Sequence, residues 1–379
     1  MKKTICLVLS AAVLTTLFYG CSKSKSLSEG GDYLKRVSAY SFWENDLDTS
    51  VAQYNVYNHV TSFLEDGNIV DGNVVSDNGK TKKVLFLGFD GARADALTNI
   101  IHDENEFETN GYNAAAPYSG IRTAAAEGGV YLAYCGGEKD KDNQQSTSTS
   151  ASWTSQFTGV WGENHGVREN EDTKNLDYKT FMLSYAENGL KTSIAFDWGQ
   201  YFDTNLKSEI EYVMANPQID MTFCDIDREK VDKLPKDALT DSLDLYNFSA
   251  AGAPSKKAPY DEGMRDYILN RIDGGDDIVC GIFHNIDSNG HTYAFSNSDN
   301  RYVDSVRTCD AYAYEITQII KEREKEFNEE WLIVFSNDHG GIGQSHGGQS
   351  AEERTTWIVS NRKLDTKYYA NGYNGFKVK

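Results

Sequence analysis

Three of the seven histidines in this 379-residue chain sit in or just after short Asp-bearing turns that follow apolar runs. Trp331 Leu332 Ile333 Val334 Phe335 ends in Ser336 Asn337 Asp338 His339 Gly340 Gly341, and His346 follows one short loop later. Ile278 Val279 Cys280 Gly281 Ile282 Phe283 leads through His284 and Asn285 to Asp287 Ser288 Asn289 Gly290 His291. A third run, Val84 Leu85 Phe86 Leu87 Gly88 Phe89, delivers Asp90 Gly91. Carboxylate and imidazole donors from three strand ends are enough for two divalent ions, and such donor sets suit catalytic zinc, with manganese as the alternative. Asn285, Asp287, Asn289 and Gly290 also mimic the start of a calcium loop, but its twelfth position is Ser296, where a bidentate Glu is needed.

The elements that must position these residues follow from the alternation of apolar runs and helical patterns. Strands are predicted at 84–89, 130–133, 193–196, 278–283, 331–335 and 355–359. Helices are predicted at 94–101, from about 150, and at 181–188, 260–272 and 301–324. That rhythm implies an α/β fold, a mostly parallel central sheet with helices on both faces. In such sheets sites form beyond the carboxyl ends of strands, where Asp90, Asp287, Asp338 and His339 fall. Residues 201–259 interrupt the rhythm, are charged and loop-like, and are expected to form a small cap insertion.

The block Thr149 Ser150 Ala151 Ser152 Trp153 Thr154 Ser155 Gln156 Phe157 Thr158 Gly159, closed by His165 Gly166, resembles the nucleophile segment of the alkaline phosphatase superfamily. The likeness is to its type I phosphodiesterase and nucleotide pyrophosphatase branch. Phe89 Asp90 Gly91 looks like the first metal motif of that family, Asp287 to His291 has the form of its second, and Asp338 His339 Gly340 is similar to its third. The resemblance implies an alkaline-phosphatase-like fold. It also implies one metal held by Asp90, Asp338 and His339 with Thr149 beside it, and another held by Asp287, His291 and His346. Thr149 would be the nucleophile and would pass through a phosphothreonine, with Ser146, Thr147, Ser148 and Ser150 as neighbouring registers. Asn170 would bind a phosphoryl oxygen, helped by backbone N–H groups at the helix start. Two departures bear on the branch. Ser150 Ala151 Ser152 stands where Phe Pro Asn is favoured, and His346 Gly347 Gly348 with Ser350 and Glu353 resembles the glycolipid ethanolamine-phosphate transferases.

A formal net charge of -20 argues against a nucleic-acid scaffold, since backbone binding needs Lys and Arg. A small phosphorylated substrate remains compatible, because bound divalent ions reverse the local field. Lys2 and Lys3, an apolar stretch over 5–18 and the Gly20 Cys21 junction read as an export signal with a lipoprotein-type cleavage site. The expected plan is a signal peptide at 1–21, a tether and packing segment at 22–80, and a catalytic domain at 81–379, anchored to the cell envelope by lipid on Cys21. Cys135, Cys224, Cys280 and Cys309 match no zinc spacing; they could form two disulfides, with Cys280 equally a buried thiol. His165 is expected to hold its own turn, His284 to be a core or supporting residue, and His59 and His102 to lie on the surface.

Gly343 Gln344 Ser345 His346 Gly347 imitates the nucleophile elbow of α/β hydrolases, but it follows no strand directly and no histidine comes after it. The leading function is phosphodiester or nucleotide pyrophosphate hydrolysis, followed by phosphomonoester hydrolysis and then phosphoethanolamine transfer. A sulfatase is disfavoured, because the block at Thr149 lacks the Pro and Arg of a sulfatase motif. A surface lipoprotein that only binds is the alternative of a different class.

Overall fold

The computed structural model describes residues 51–99, 119–226 and 258–369. The expected signal segment, the tether as far as residue 50, His102 and most of the expected cap lie outside them. The described residues form ten strands: β1 (Val51–Ala52), β2 (Asn68–Val70), β3 (Asn73–Val75), β4 (Thr81–Phe89), β5 (Gly129–Tyr134), β6 (Thr192–Phe196), β7 (Met221–Asp225), β8 (Ile278–Phe283), β9 (Glu329–Ser336) and β10 (Thr355–Ser360). They make one sheet in the order β1-β5-β10-β9-β4-β8-β6-β7, with the β2–β3 hairpin joined to the start of β4. The five strands from β9 to β7 in this order run parallel, while β10 is antiparallel to both its neighbours.

Side-chain alternation along β4 divides the core in two. Leu85, Leu87 and Phe89 enter one apolar cluster and Val84 and Phe86 the other. Because both faces are covered, the strand reads as a continuous apolar run rather than an alternating one. The first face is covered by α2 (Gly120–Glu127), α7 (Ala258–Asp273) and α9 (Asn300–Glu326). Val303, Val306, Cys309, Ala313, Ile316 and Ile320 of α9 recur every three or four residues and form its buried stripe. The second face is covered by α1 (Asn55–Glu65), α3 (Thr149–Thr158) and α5 (Phe181–Ala186). Trp153 pins α3 to the sheet, its ring edge-on to Phe86 at 5.8 Å and stacked on Phe157 at 6.0 Å. Short helices α4 (Gly162–His165), α6 (Lys207–Ala215), α8 (Asn285–Tyr293) and α10 (Ala351–Arg354) complete the set.

Several expectations change. Residues 94–101, read as an α-helix, contain the tighter 3-10 turn Ala94–Asn99. Asp287 to His291, read as a turn, lie within α8. The first part of the expected cap belongs to the main body: buried Tyr201, helix α6 and β7, which extends the sheet beside β6. His59, expected on the surface, is 6% exposed on α1 and hydrogen-bonds Ser360 Oγ through Nε2 at 3.0 Å. The four described cysteines are buried free thiols, Cys280 among them, and no disulfide joins them. No helix among the described residues is long and apolar enough to cross a membrane.

Candidate active site

The three Asp-bearing segments meet because β9, β4 and β8 are neighbours in the sheet and end in register, Gly88 opposite Ser336 and Phe89 opposite Phe283. Asp90 follows β4, Asp338 and His339 follow β9, and Asp287 and His291 lie one turn apart on α8, which starts after β8. Gly91 adopts φ +67°, and an added Cβ would lie 3.0 Å from the Asp287 Cα, so glycine lets the β4 end and α8 touch. The loop between β9 and β10 brings in His346.

Two donor sets result: Asp90, Asp338 and His339, and Asp287, His291 and His346, each with ligand atoms within 4.8 Å of one another. They are the groupings expected from the motifs. A third set joins Asp90 and Asp287 through His284, which sequence reasoning had left as a core or supporting residue.

In Asp90 and Asp338 one oxygen is engaged and the other has no hydrogen-bond partner. Asp90 Oδ2 accepts from Trp153 Nε1 at 3.1 Å, and Asp338 Oδ1 accepts from the Gly91 and His339 amides, both at 2.9 Å. Asp90 Oδ1, Asp338 Oδ2 and Asp287 Oδ1 are buried and unpartnered, with imidazole Nε2 atoms of His339 and His346 3.2 to 3.7 Å away. The histidines face them in a defined tautomer. His339, His346 and His291 each set Nδ1 against a backbone carbonyl, of Gly340 at 2.7 Å, Thr147 at 3.1 Å and Gln344 at 2.9 Å. A carbonyl can only accept, so Nδ1 carries the proton and a neutral ring turns its Nε2 lone pair inward. Nε2 of His291 and Nε2 of His346 stand 3.2 Å apart, two lone pairs that repel unless a cation lies between them. Orphan buried oxygens and opposed lone pairs are the donor set a divalent ion requires.

The electrostatics agree. Burial, and then the Asp338 carboxylate, push Asp90 well above the usual carboxylate range, and burial raises Asp338 to about 7. Burial holds His346 down at about 3 and also lowers His339, so both stay neutral. Burial opposes ionisation of Asp287, but the adjacent His284 outweighs it and keeps Asp287 below its ordinary value. Asp197 draws His284 upward against the effect of burial.

Thr149 is the first residue of α3, nearly buried, with Oγ1 3.4 Å from His339 Nε2. Three of its neighbours are committed elsewhere: Ser146 and Thr147 donate to the carbonyls of Gly347 and Gly348, and Ser150 donates to Asn205 Oδ1, while Ser148 Oγ is buried without a hydrogen-bond partner. Asn170 lies beside the same helix start, its Oδ1 accepting from the Ser150 amide at 3.1 Å. That bond corrects one expectation, since the first N–H after Thr149 is occupied by Asn170 and is not free for a phosphoryl oxygen. His165 holds its turn as expected, accepting from the Val167 amide and pairing with Ser155 Oγ. Ser345 of the imitation elbow is exposed in a loop.

The family model for type I phosphodiesterase / nucleotide pyrophosphatase matches residues 135–369, more than half of the chain. The chain belongs to that family. Thr149, Asn170, Asp287, His291, Asp338, His339 and His346 lie inside the matched stretch, and Asp90 precedes it. Membership relates this chain to phosphoester hydrolases. A search of curated proteins finds no match. Among solved structures, a phosphonoacetate hydrolase from Sinorhizobium meliloti 1021 is similar at 14% identity and TM-score 0.40, over 70% of this chain and 59% of that one. A phosphonate monoester hydrolase of Agrobacterium radiobacter is similar at 11% identity and TM-score 0.42, over 75% and 70%. An alkaline phosphatase from the Antarctic bacterium TAB5 is similar at 12% identity and TM-score 0.39, over 73% and 90%.

Proposed function

We propose that this chain hydrolyses phosphodiesters, nucleotide pyrophosphates among them, with two zinc ions and Thr149 as nucleophile. The observation that carries the reading is the Thr149 hydroxyl beside inward lone pairs and orphan carboxylate oxygens. Asp90, Asp338 and His339 would hold one ion, and Asp287, His291 and His346 the other. Bound there, divalent ions lower the pKa of a nearby hydroxyl and neutralise charge on the attacking and departing oxygens. Thr149 Oγ1 gives up its proton and attacks phosphorus in line, the bond to the leaving oxygen breaks, and a phosphothreonine ester forms. Water then attacks that phosphorus, the P–Oγ1 bond breaks, and the monoester product leaves with Thr149 restored. Asn170, its Oδ1 anchored on the Ser150 amide, keeps its NH₂ group for a non-bridging phosphoryl oxygen.

The experiment compares initial rates on nitrophenyl phosphate diester and monoester, with zinc, for the wild type and Thr149→Ala. Diester preference and a loss of at least about 10³-fold in the variant, with metal content unchanged, is the expected result. A fully active Thr149→Ala enzyme refutes the nucleophile, and monoester preference moves the substrate class to phosphomonoesters. The sequence before residue 22 supports export and lipid attachment at Cys21. A Cys21→Ser protein that still labels with palmitate in cells would refute that part.

A further inference from the structure

Asp90 and Asp338 each have a dedicated partner that fixes one carboxylate oxygen and leaves the other bare: the Trp153 indole N–H for Asp90, and two backbone amides for Asp338. Asp287 shows the same asymmetry, with Oδ1 bare, so its Oδ2 calls for an equivalent partner. Among the described residues no backbone amide donates to it. His291 Nε2 lies 3.4 Å from it, but with the Nδ1 proton facing Gln344 O that nitrogen presents a lone pair and has no proton to give. His346 likewise has its proton on Nδ1, facing Thr147 O.

The remaining group is His284. Its Nε2 stands 3.5 Å from Asp287 Oδ2, and its Nδ1 stands 3.3 Å from Asp197 Oδ1 on the far side. The imidazole therefore lies between two carboxylates. It is wedged there sterically: Phe196 packs edge-on at 5.4 Å and Trp198 lies over it at 6.2 Å. Asp197 follows β6 directly, its side chain is 2% exposed, and neither of its oxygens has a hydrogen-bond partner, the His284 ring being its near neighbour. A buried carboxylate without a hydrogen-bond partner is costly, and the imidazole 3.3 Å away is the group placed to offset that cost.

We infer that Asp197 and His284 are a positioning pair that fixes the rotation of Asp287, as Trp153 fixes Asp90, and so tunes one of the two metal sites selectively. The inference rests on the two-metal reading above. His284 acts through Asp287 and touches no substrate. Groups of this kind change metal affinity about 10- to 100-fold when removed.

The test titrates cobalt(II), then zinc in competition with a chelator, into the metal-free full chain, and follows the cobalt visible spectrum. Wild type, His284→Ala, His284→Gln and Asp197→Asn are compared, each checked for folding by circular dichroism. The wild type is expected to bind two ions. His284→Ala should weaken one of them about 10- to 100-fold and shift its cobalt bands, leaving the other ion unchanged. His284→Gln, whose amide can still donate to Asp287, should recover most of the loss, and Asp197→Asn should weaken the same ion. Should His284→Ala not fold, the Gln and Asn variants carry the comparison, and wild-type affinity in Asp197→Asn then overturns the inference. Unchanged affinity for both ions in His284→Ala overturns it while leaving the two-metal reading intact. A third ion in the wild type that disappears with His284 also overturns it, because His284 would then be a ligand. Fewer than two ions in the wild type overturns the two-metal reading and the inference together.

Discussion

The Ser150 amide donates to Asn170 Oδ1 at 3.1 Å and so ties Asn170 to the helix that carries Thr149. The side chain is therefore pre-set before substrate arrives. Asn170→Ala should lower kcat/KM about 100-fold with zinc content unchanged, because a donor aimed at developing charge is lost while both metal sites remain. Steady-state kinetics beside metal analysis checks this, and an equal loss of bound zinc would contradict it. The donor sets at Asp90, Asp338, His339, Asp287, His291 and His346 were legible in the sequence because each follows an apolar run in a short motif. His284 and Asp197 were not, since the partner of each is distant along the chain and neither has a diagnostic spacing. His59 was misread for a related reason, because a lone histidine on an amphipathic helix gives no sign of the Ser360 hydroxyl waiting for it.

Among the elements, apolar runs announced β4, β8, β9 and β10, whose short lengths and β-branched and aromatic content separate a buried strand from a buried helix. Helix α8 was not announced. Asn285, Asp287, Ser288, Asn289 and Gly290 are poor helix formers, and the helix exists because docking against the strand ends overrides propensity. Gly290 itself is required there, for a Cβ would come within 2.4 Å of the Phe295 ring. Strands β1, β2 and β3 are too short to give a pattern, and β7 lay in a charged stretch taken for a cap. The junction of β4 with α8 gives an element-level prediction. Gly91→Ala should cost about 1–3 kcal/mol in chemical unfolding, since it combines left-handed backbone with a close approach to Asp287. It should also weaken metal binding, and a variant as stable as wild type with full metal affinity would show that the junction has slack.

For the molecule as a whole, His59 ties stability to pH. Burial, then the charge of Arg362, holds its folded pKa down at about 4, below the ordinary 6.5. The unfolded chain thus gains a proton first as pH falls, so stabilisation present above pH 6.5 is lost progressively toward pH 4, by up to about 3 kcal/mol. Melting curves across that range should fall less steeply for His59→Gln, and parallel curves would remove His59 from the account. Metal removal acts on the same global equilibrium. With Asp90, Asp287 and Asp338 buried together, a chelator should lower Tm by more than about 5 °C, and an unchanged Tm would mean that no ion stabilises the fold. The sheet order carries one more consequence, for the time course of synthesis. Val84 pairs with Ile278 on one side and Leu332 on the other, so the strand made early has neither neighbour until most of the chain has been made. Long-range pairing of this kind is slow and leaves apolar edges bare in the interval. A chain truncated before residue 329 should stay unfolded, and the nascent protein depends on being kept from aggregating until β9 arrives.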